Sequence, residues 1–475
     1  MTRFSIALPF LLLCFLAACT PEVESQTANG TWKSLGSGWV LQITDSTEYV
    51  FYDITSISCQ PSREGPFDEL AGSLEVRGDT LRLKKGVITY TFSRMEKLPV
   101  PCISSPDESE LKNPLYNFEV FGRTVEEHYA FMDLNQVEWD SLYRAQRAKL
   151  TEHSEDTTLY LTIEQTLELL NDNHAYLEAE DSVYKALEKV NQGVQSDSME
   201  EGLPEIGDFQ IADRVAAHHL EEDFTEDSWL IKWGRLTNKI GYIQVKAMWL
   251  YADLEIPEER ITEVGYVDAY VDTFHKLYEG AYIRKEVEGV REIMDRVMED
   301  LSQMDAIVID VRFNGGGQDA VSFEILSRFL SGSQQVAAQK LRYKDGFTPP
   351  LPLYIQGAEN AYTGPVFVLT SPQTGSAAEA FAIATLAMPH VRRIGSATSG
   401  AMSTALEKRL PNGWAFSISN EVYMDTKGNP YENIGIFPDY DLEYARDRQT
   451  FFRAVEADLD ADKKRILNAI KALSE

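Results

Sequence analysis

The residues whose types and spacing could do chemistry lie between Pro365 and Met388, in Pro-Val-Phe-Val-Leu-Thr-Ser-Pro-Gln-Thr-Gly-Ser-Ala-Ala-Glu-Ala-Phe-Ala-Ile-Ala-Thr-Leu-Ala-Met. An apolar run through Val366, Val368 and Leu369 enters a Ser/Pro/Gly turn, and an alanine-rich segment of high helix propensity leaves it, which predicts strand, tight turn, helix. Ser376 stands where that helix begins. The first N–H groups of a helix lack intrahelical partners and its macrodipole is positive there, so a hydroxyl at this point can attack a carbonyl whose oxyanion is stabilised. The same residues fit a plain helix cap, because Ser376 followed by Glu379 is a capping box.

Two other segments carry candidate groups. Asp305 to Val311 is a short continuous apolar run, typical of a strand covered on both faces, and it exits through Arg312-Phe313-Asn314-Gly315-Gly316-Gly317. Consecutive glycines let backbone amides approach a ligand in conformations other residues avoid. Phosphate cradling would need a Gly-Lys-Ser/Thr ending, which is missing. Upstream, an amphipathic helix from Leu159 to Leu170 ends in Asn171-Asp172-Asn173-His174-Ala175-Tyr176-Leu177. His174 could accept a proton, or could cap the helix end beside Asp172. His218 and His219, adjacent in sequence, should point apart on a helix or a strand, so no metal site is expected.

These segments must be positioned by a chain of 475 residues with 44% hydrophobic content, enough for several domains. The formal net charge of -31 argues against nucleic acid and anionic lipid surfaces as partners. Residues 1–18 read as a signal peptide, with Arg3, an apolar stretch too short to span a membrane, and small residues before Cys19. Residues 19–29 read as a polar tether. Short alternating runs across 30–103 predict a small all-β domain, sandwich or barrel, whose Gly30-Thr31-Trp32 opening is similar to that of lipocalin-like barrels. Residues 104–232 read as a helical region. Residues 233–475 read as an α/β core with a helical insertion at 250–303 and one C-terminal helix from about Arg448 to Leu473. Cys14 leaves with the signal peptide, so Cys59 and Cys102 remain in the folded part, as a disulfide favoured by export or as two buried thiols.

Leu16-Ala17-Ala18-Cys19 resembles the bacterial lipobox, which implies a lipidated Cys19 and a protein of the bacterial cell envelope held to a membrane by its lipid alone. The order of the other motifs resembles the S41 serine peptidases, which include carboxyl-terminal processing proteases and the tricorn core protease. The shared marks are Asp310 to Gly317, Thr374-Gly375-Ser376-Ala377-Ala378-Glu379, Ile394-Gly395, and Gly435-Ile436-Phe437-Pro438-Asp439. The resemblance implies a multidomain α+β protein with a ClpP/crotonase-like α/β core. It implies Ser376 as nucleophile, with the backbone N–H groups of Gly317 and Ala377 as oxyanion hole. A side chain at residue 317 would then crowd the place where the oxyanion forms.

Processing proteases of the bacterial and plastid type place a lysine base twenty-five residues after the serine, and here that position is Ala401; Lys408 is out of register. The tricorn branch uses a histidine in a Ser-His-Ala-Tyr setting, and Asn173-His174-Ala175-Tyr176 is similar. The resemblance therefore implies His174 as general base. It also implies Glu432 as the carboxylate completing the network, acting on the imidazole through Asn173. No PDZ-type carboxylate-binding loop is evident between His174 and Trp233. The expected activity is a serine endopeptidase acting on peptides or unfolded protein segments, with no metal or organic cofactor. The competing classes are a non-catalytic protein that binds apolar ligands or peptides on the same fold, and an acyl-CoA enzyme of the crotonase type.

Overall fold

The computed structural model describes residues 27–104, 106–192 and 204–475. The expected signal peptide, Cys19 and most of the tether lie outside them. Residues 30–95 form a seven-stranded antiparallel sheet. Its order runs Cys59–Pro66, Glu48–Ile54, Trp39–Thr44, Gly30–Ser34, Ile88–Met95, Thr80–Lys85, Leu74–Arg77. Strand alternation turns Trp32, Leu41, Phe51, Leu83 and Phe92 into one buried cluster. Cys59, at the start of an edge strand, is disulfide-bonded to Cys102 in the short helix Val100–Ile103.

The helical region contributes Pro114–His128, Trp139–Arg147, Asp156–Leu170, Asp181–Gln192 and Asp208–His219. Helix Pro114–His128 starts at Asn113, whose side-chain oxygen accepts from the amides of Leu115 and Tyr116, while Pro114 occupies a first-turn position that needs no donor. It shares a core with Leu159, Ile163 and Leu167 of helix Asp156–Leu170. That second helix stops at Asn171, whose φ of 52° is left-handed backbone that asparagine tolerates. The turn directs the following loop, with Asp172 and His174, back toward the rest of the molecule.

The core sheet runs Tyr440–Asp441, Val391–Gly395, Val366–Thr370, Ala306–Asp310, Ile240–Val245 in parallel, then Ile231–Arg235 and Glu222–Asp223 antiparallel. Strands Ala306–Asp310 and Val366–Thr370 are buried at every position, as a sheet covered on both faces requires. Helices Glu279–Leu301, Asp319–Ser327 and Ala377–Thr385 pack in the large cluster on one side. On the other, Ile466 and Ile470 of helix Leu459–Ser474 meet Val308, Phe367 and Ile394. Asp310 pairs with Leu369, so the two strands end side by side. Their exit loops, one with three glycines and one with Ser376, leave the same edge, where open α/β sheets bind ligands.

A smaller sheet joins the helical region to this core. Its strands are Ala405–Arg409, Ala415–Ser419 and Tyr176–Glu178. The N-terminal sheet is fastened by buried polar pairs: Lys408 donates to Asp53 Oδ1 at 2.8 Å and to the Gly38 carbonyl at 3.1 Å, and Tyr90 donates to Glu421 Oε1 at 3.1 Å. No PDZ module is evident among the described residues.

Two expectations are revised, and one helical segment is resolved into its parts. The C-terminal helix is two helices, Arg448–Ala457 and Leu459–Ser474, because the backbone leaves the helical region at Asp458 (φ -151°, ψ 78°), whose carboxylate then caps the second by accepting from Ala461. The 250–303 insertion is three helices, Glu258–Val264, Tyr266–Phe274 and Glu279–Leu301, with Gly265 at φ 88° between the first two. His218 and His219 do not point apart. Their Nδ1 atoms lie 3.3 Å from each other, and their Nε2 atoms meet Asp460 and Asp462, which draw both rings toward helix Leu459–Ser474.

Candidate active site

Ser376 occupies the turn between strand Val366–Thr370 and helix Ala377–Thr385 with φ 50° and ψ -122°. A non-glycine residue in that region carries backbone strain, which tight turns at functional sites often store. Its side chain caps nothing; Ser376 Oγ instead lies 3.3 Å from His174 Nε2, across 202 residues of sequence. The capping box does not form, because Glu379 turns the other way. Buried, it accepts from Thr398 Oγ1 (2.5 Å), Ser399 Oγ (2.8 Å), and the amides of Gly400 (2.8 Å) and Ala401 (2.6 Å). Burial raises its carboxyl above the usual range while those four bonds oppose the shift. The loop it holds returns the Ala401 carbonyl to the amide of Ser376 at 2.9 Å, so residue 401 supports the serine through backbone alone. Lys408 is committed to Asp53.

The glycine loop fits around this turn. Asn314 accepts from the Gly316 amide at 2.8 Å and donates to the Val245 carbonyl at 3.0 Å, fixing the loop to the neighbouring strand. A Cβ on Gly316 would stand 2.7 Å from Ser376 Cβ, and one on Gly317 would stand 2.5 Å from the Met248 backbone. Both glycines have positive φ, 115° and 140°. The expected reason for glycine at 317 therefore changes: its absent side chain spares Met248 and Trp249, and it is Gly316 that makes room beside the serine. Met248 donates to the Gly316 carbonyl and accepts from the Gln318 amide, bracketing residue 317. Among the described residues no acceptor takes the amide of Gly317 or of Ala377. Gly317, Ser376 and His174 line one cavity of about 200 Å³.

His174 reaches that cavity because its loop is sewn to strand Ala415–Ser419. Tyr176 pairs with Ser417, Ser417 Oγ donates to the His174 carbonyl, and Asp172 accepts from the Ser419 amide (2.7 Å) and Ser419 Oγ (2.6 Å). The His174 amide in turn donates to Asp172 Oδ1 at 3.0 Å. Burial lowers the imidazole below its ordinary pKa, with the Asp172 charge opposing, so the ring is neutral at neutral pH. Its Nδ1 is buried and has no hydrogen-bond partner among the described residues.

Glu432 is also buried, but its Oε2 accepts from the amides of Met402 (3.0 Å) and Ser403 (3.1 Å), and no hydrogen bond connects it to His174 or Asn173. Burial pushes its carboxyl up to about 8, with the nearby charges of Glu379 and Asp172 adding to the rise, so it is protonated at neutral pH. Asn173 is exposed and borders a separate surface groove with Glu168 and Tyr176. The relay through Asn173 is not made, because that side chain lies on the outer side of its turn. Asp172, Ser417, Ser419 and the loop-holding role of Glu379 were missed in the sequence. Two signals existed: an aspartate two residues before the histidine, suited to an Asx turn, and two hydroxyls at strand period.

Residues 239–442 match the family model of Peptidase family S41. This chain therefore carries a segment of the S41 peptidase family. Its fold is similar to that of a candidate peptidase from Parabacteroides merdae ATCC 43184, at 20% identity and TM-score 0.50, over 74% of this chain and 97% of that one. It is similar to mature CPAF at 12% identity and TM-score 0.50, over 76% and 98%. At such identities the likeness is one of fold. No curated protein matches this chain. The S41 segment includes the glycine loop, Ser376 and Glu432, whereas His174 and the N-terminal sheet lie before it.

Proposed function

We propose that this peptidase is a serine endopeptidase that hydrolyses peptide bonds in peptides or unfolded protein segments, with Ser376 as nucleophile and His174 as general base. The observation that carries the reading is the 3.3 Å approach of His174 Nε2 to Ser376 Oγ at a strained strand-to-helix turn. A neutral imidazole at that distance can take the hydroxyl proton as Oγ attacks the scissile carbonyl carbon. The oxyanion that forms accepts from the free amides of Gly317 and Ala377, each worth roughly 3 kcal/mol in comparable sites. The imidazolium gives its proton to the leaving amine, and a water molecule, deprotonated by the same ring, hydrolyses the acyl-enzyme. Asp172 orients the base through its loop, and Glu432, as a neutral acid, holds the 402–403 backbone beside the cavity.

The lipobox-like Leu16-Ala17-Ala18-Cys19 supports an exported protein anchored to the bacterial cell envelope through lipid on Cys19. The bond between Cys59 and Cys102 suits an oxidising compartment. The test of the reading is hydrolysis of unfolded casein and of internally quenched peptides by wild type, Ser376→Ala and His174→Ala. Cleavage by wild type, abolished in both variants, is expected. Peptide retained uncut by all three would make the protein a binder.

A further inference from the structure

The cavity at Ser376 is not enclosed by the peptidase core alone. The turn between strands Thr80–Lys85 and Ile88–Met95 of the N-terminal sheet supplies one wall, and the start of helix Asp319–Ser327 with Ile283 supplies another. The fit is close: a Cβ on Gly86, at φ 58°, would stand 3.2 Å from Ile283 and 3.3 Å from Ala320. Ile88, Ile283 and Ala320 give this space aliphatic sides.

Three charged groups line it, and they are not equivalent. Lys85 and Glu279 pair with each other at 2.5 Å, and the Lys85 ammonium also lies 4.7 Å from the Trp39 ring, so that cation is already satisfied. Asp319 accepts a hydrogen bond from Tyr423 at 2.5 Å, and among the described residues no cation pairs with it. A second carboxylate stands behind this wall: Glu421, buried, accepts from Tyr90, and among the described residues its Oε2 has no hydrogen-bond partner. A half-buried carboxylate facing a cavity without a counter-charge favours a ligand that brings one. Burial accordingly holds the Asp319 carboxyl up at about 6.

We propose that Asp319 selects the substrate: the cavity takes a lysine or arginine side chain flanking the scissile bond, its stem against Ile88, Ile283 and Ala320 and its cationic head on the Asp319 carboxylate. This assignment rests on the peptidase reading above. Asp319 follows Gly316, which sits against Ser376, by three residues, so at most roughly 11 Å of backbone separates it from Gly316, and both Asp319 and Ser376 line the one cavity. An acidic side chain would meet Asp319 with like charge, and a short apolar one would leave the carboxylate bare.

The test uses one internally quenched peptide frame in which each residue flanking the scissile bond is varied among lysine, arginine, norleucine and glutamate. For wild type the ratio of kcat/KM for lysine over norleucine is expected to be roughly 100, falling to near one in Asp319→Asn and partly recovering in Asp319→Glu. An unchanged ratio in Asp319→Asn overturns the proposal, as does a wild type that favours norleucine or glutamate. A uniform loss across all peptides with the ratio intact would assign Asp319 a structural role at its helix start and also overturn it. A second arm needs no catalysis: fluorescence anisotropy of the same peptides on Ser376→Ala, with and without Asp319→Asn. Lysine-selective binding abolished by Asp319→Asn, in a protein whose wild type cuts nothing, would keep the Asp319 assignment and sink the peptidase reading. Cleavage without cationic preference would do the reverse.

Discussion

The two halves of the candidate site are built in different ways. The nucleophile half is local: strands Ala306–Asp310 and Val366–Thr370 are neighbours in one parallel sheet, and their exit loops carry the glycines and Ser376. The base half is remote: His174 arrives from the helical region on the loop that leads into a three-residue strand, Tyr176–Glu178, and that loop is fixed by Ser417, Ser419 and Asp172. The first half is held by a buried sheet and the second by a few hydrogen bonds. Chemistry that needs both halves is therefore most easily tuned, or broken, at the second.

The largest effect should come from the pair itself. Ser376→Ala and His174→Ala are each expected to lower kcat on the order of 10⁶-fold, and the double variant no further, because groups acting as one unit are not additive. Steady-state kinetics on a single peptide checks this, and additive losses would separate the two halves. Next is Lys408→Met, which leaves Asp53 buried without its partner and should cost about 3 to 5 kcal/mol, loosening the N-terminal sheet from the core. Urea unfolding followed by tryptophan fluorescence measures it.

On the nucleophile side, Gly317→Ala must move the Met248 backbone or give up φ 140°, and a displaced amide should lower kcat by roughly 100- to 1000-fold. Titrating kcat against KM tells displacement of the amide from loss of substrate binding. On the base side the expected change is smaller and shows in pH. His174 must be neutral to accept a proton, and burial holds its pKa below the ordinary value, so kcat/KM should rise with pH through a midpoint below about 6.5. Asp172 raises that pKa, so Asp172→Asn should shift the acid limb to lower pH while lowering kcat by roughly 10-fold through a looser loop. A limb that stays in place would mean that Asp172 does not act on the imidazole.

The same contrast decides how much could be read in the sequence. Strand, glycine loop, serine turn and helix were legible because their signals are contiguous: apolar runs, Gly315-Gly316-Gly317, and alanines after Ser376. The break at Asp458 was not, since the helix-forming pattern continues on both sides of a single local cap, the Asp458 carboxylate on the Ala461 amide. The pairing of Tyr176 with Ser417 left no local mark, so His174 could be singled out only by resemblance. Resemblance also suggested a relay through Asn173, which fails because one turn of an exposed loop sets which side chain faces inward. Glu379 read as a cap because its spacing fits one, yet the buried donors at 398–401 outcompete the helix start for its carboxylate.

Covalent labelling tests the central claim most directly. The protein from Thr20 onward, as wild type, Ser376→Ala and His174→Ala, would be treated with a fluorophosphonate and the adduct located by peptide mass spectrometry. We expect wild type to carry the adduct on Ser376, with labelling lost in Ser376→Ala and strongly slowed in His174→Ala. A folded wild type that labels elsewhere, or labels at Ser376 equally fast without His174, would contradict the account.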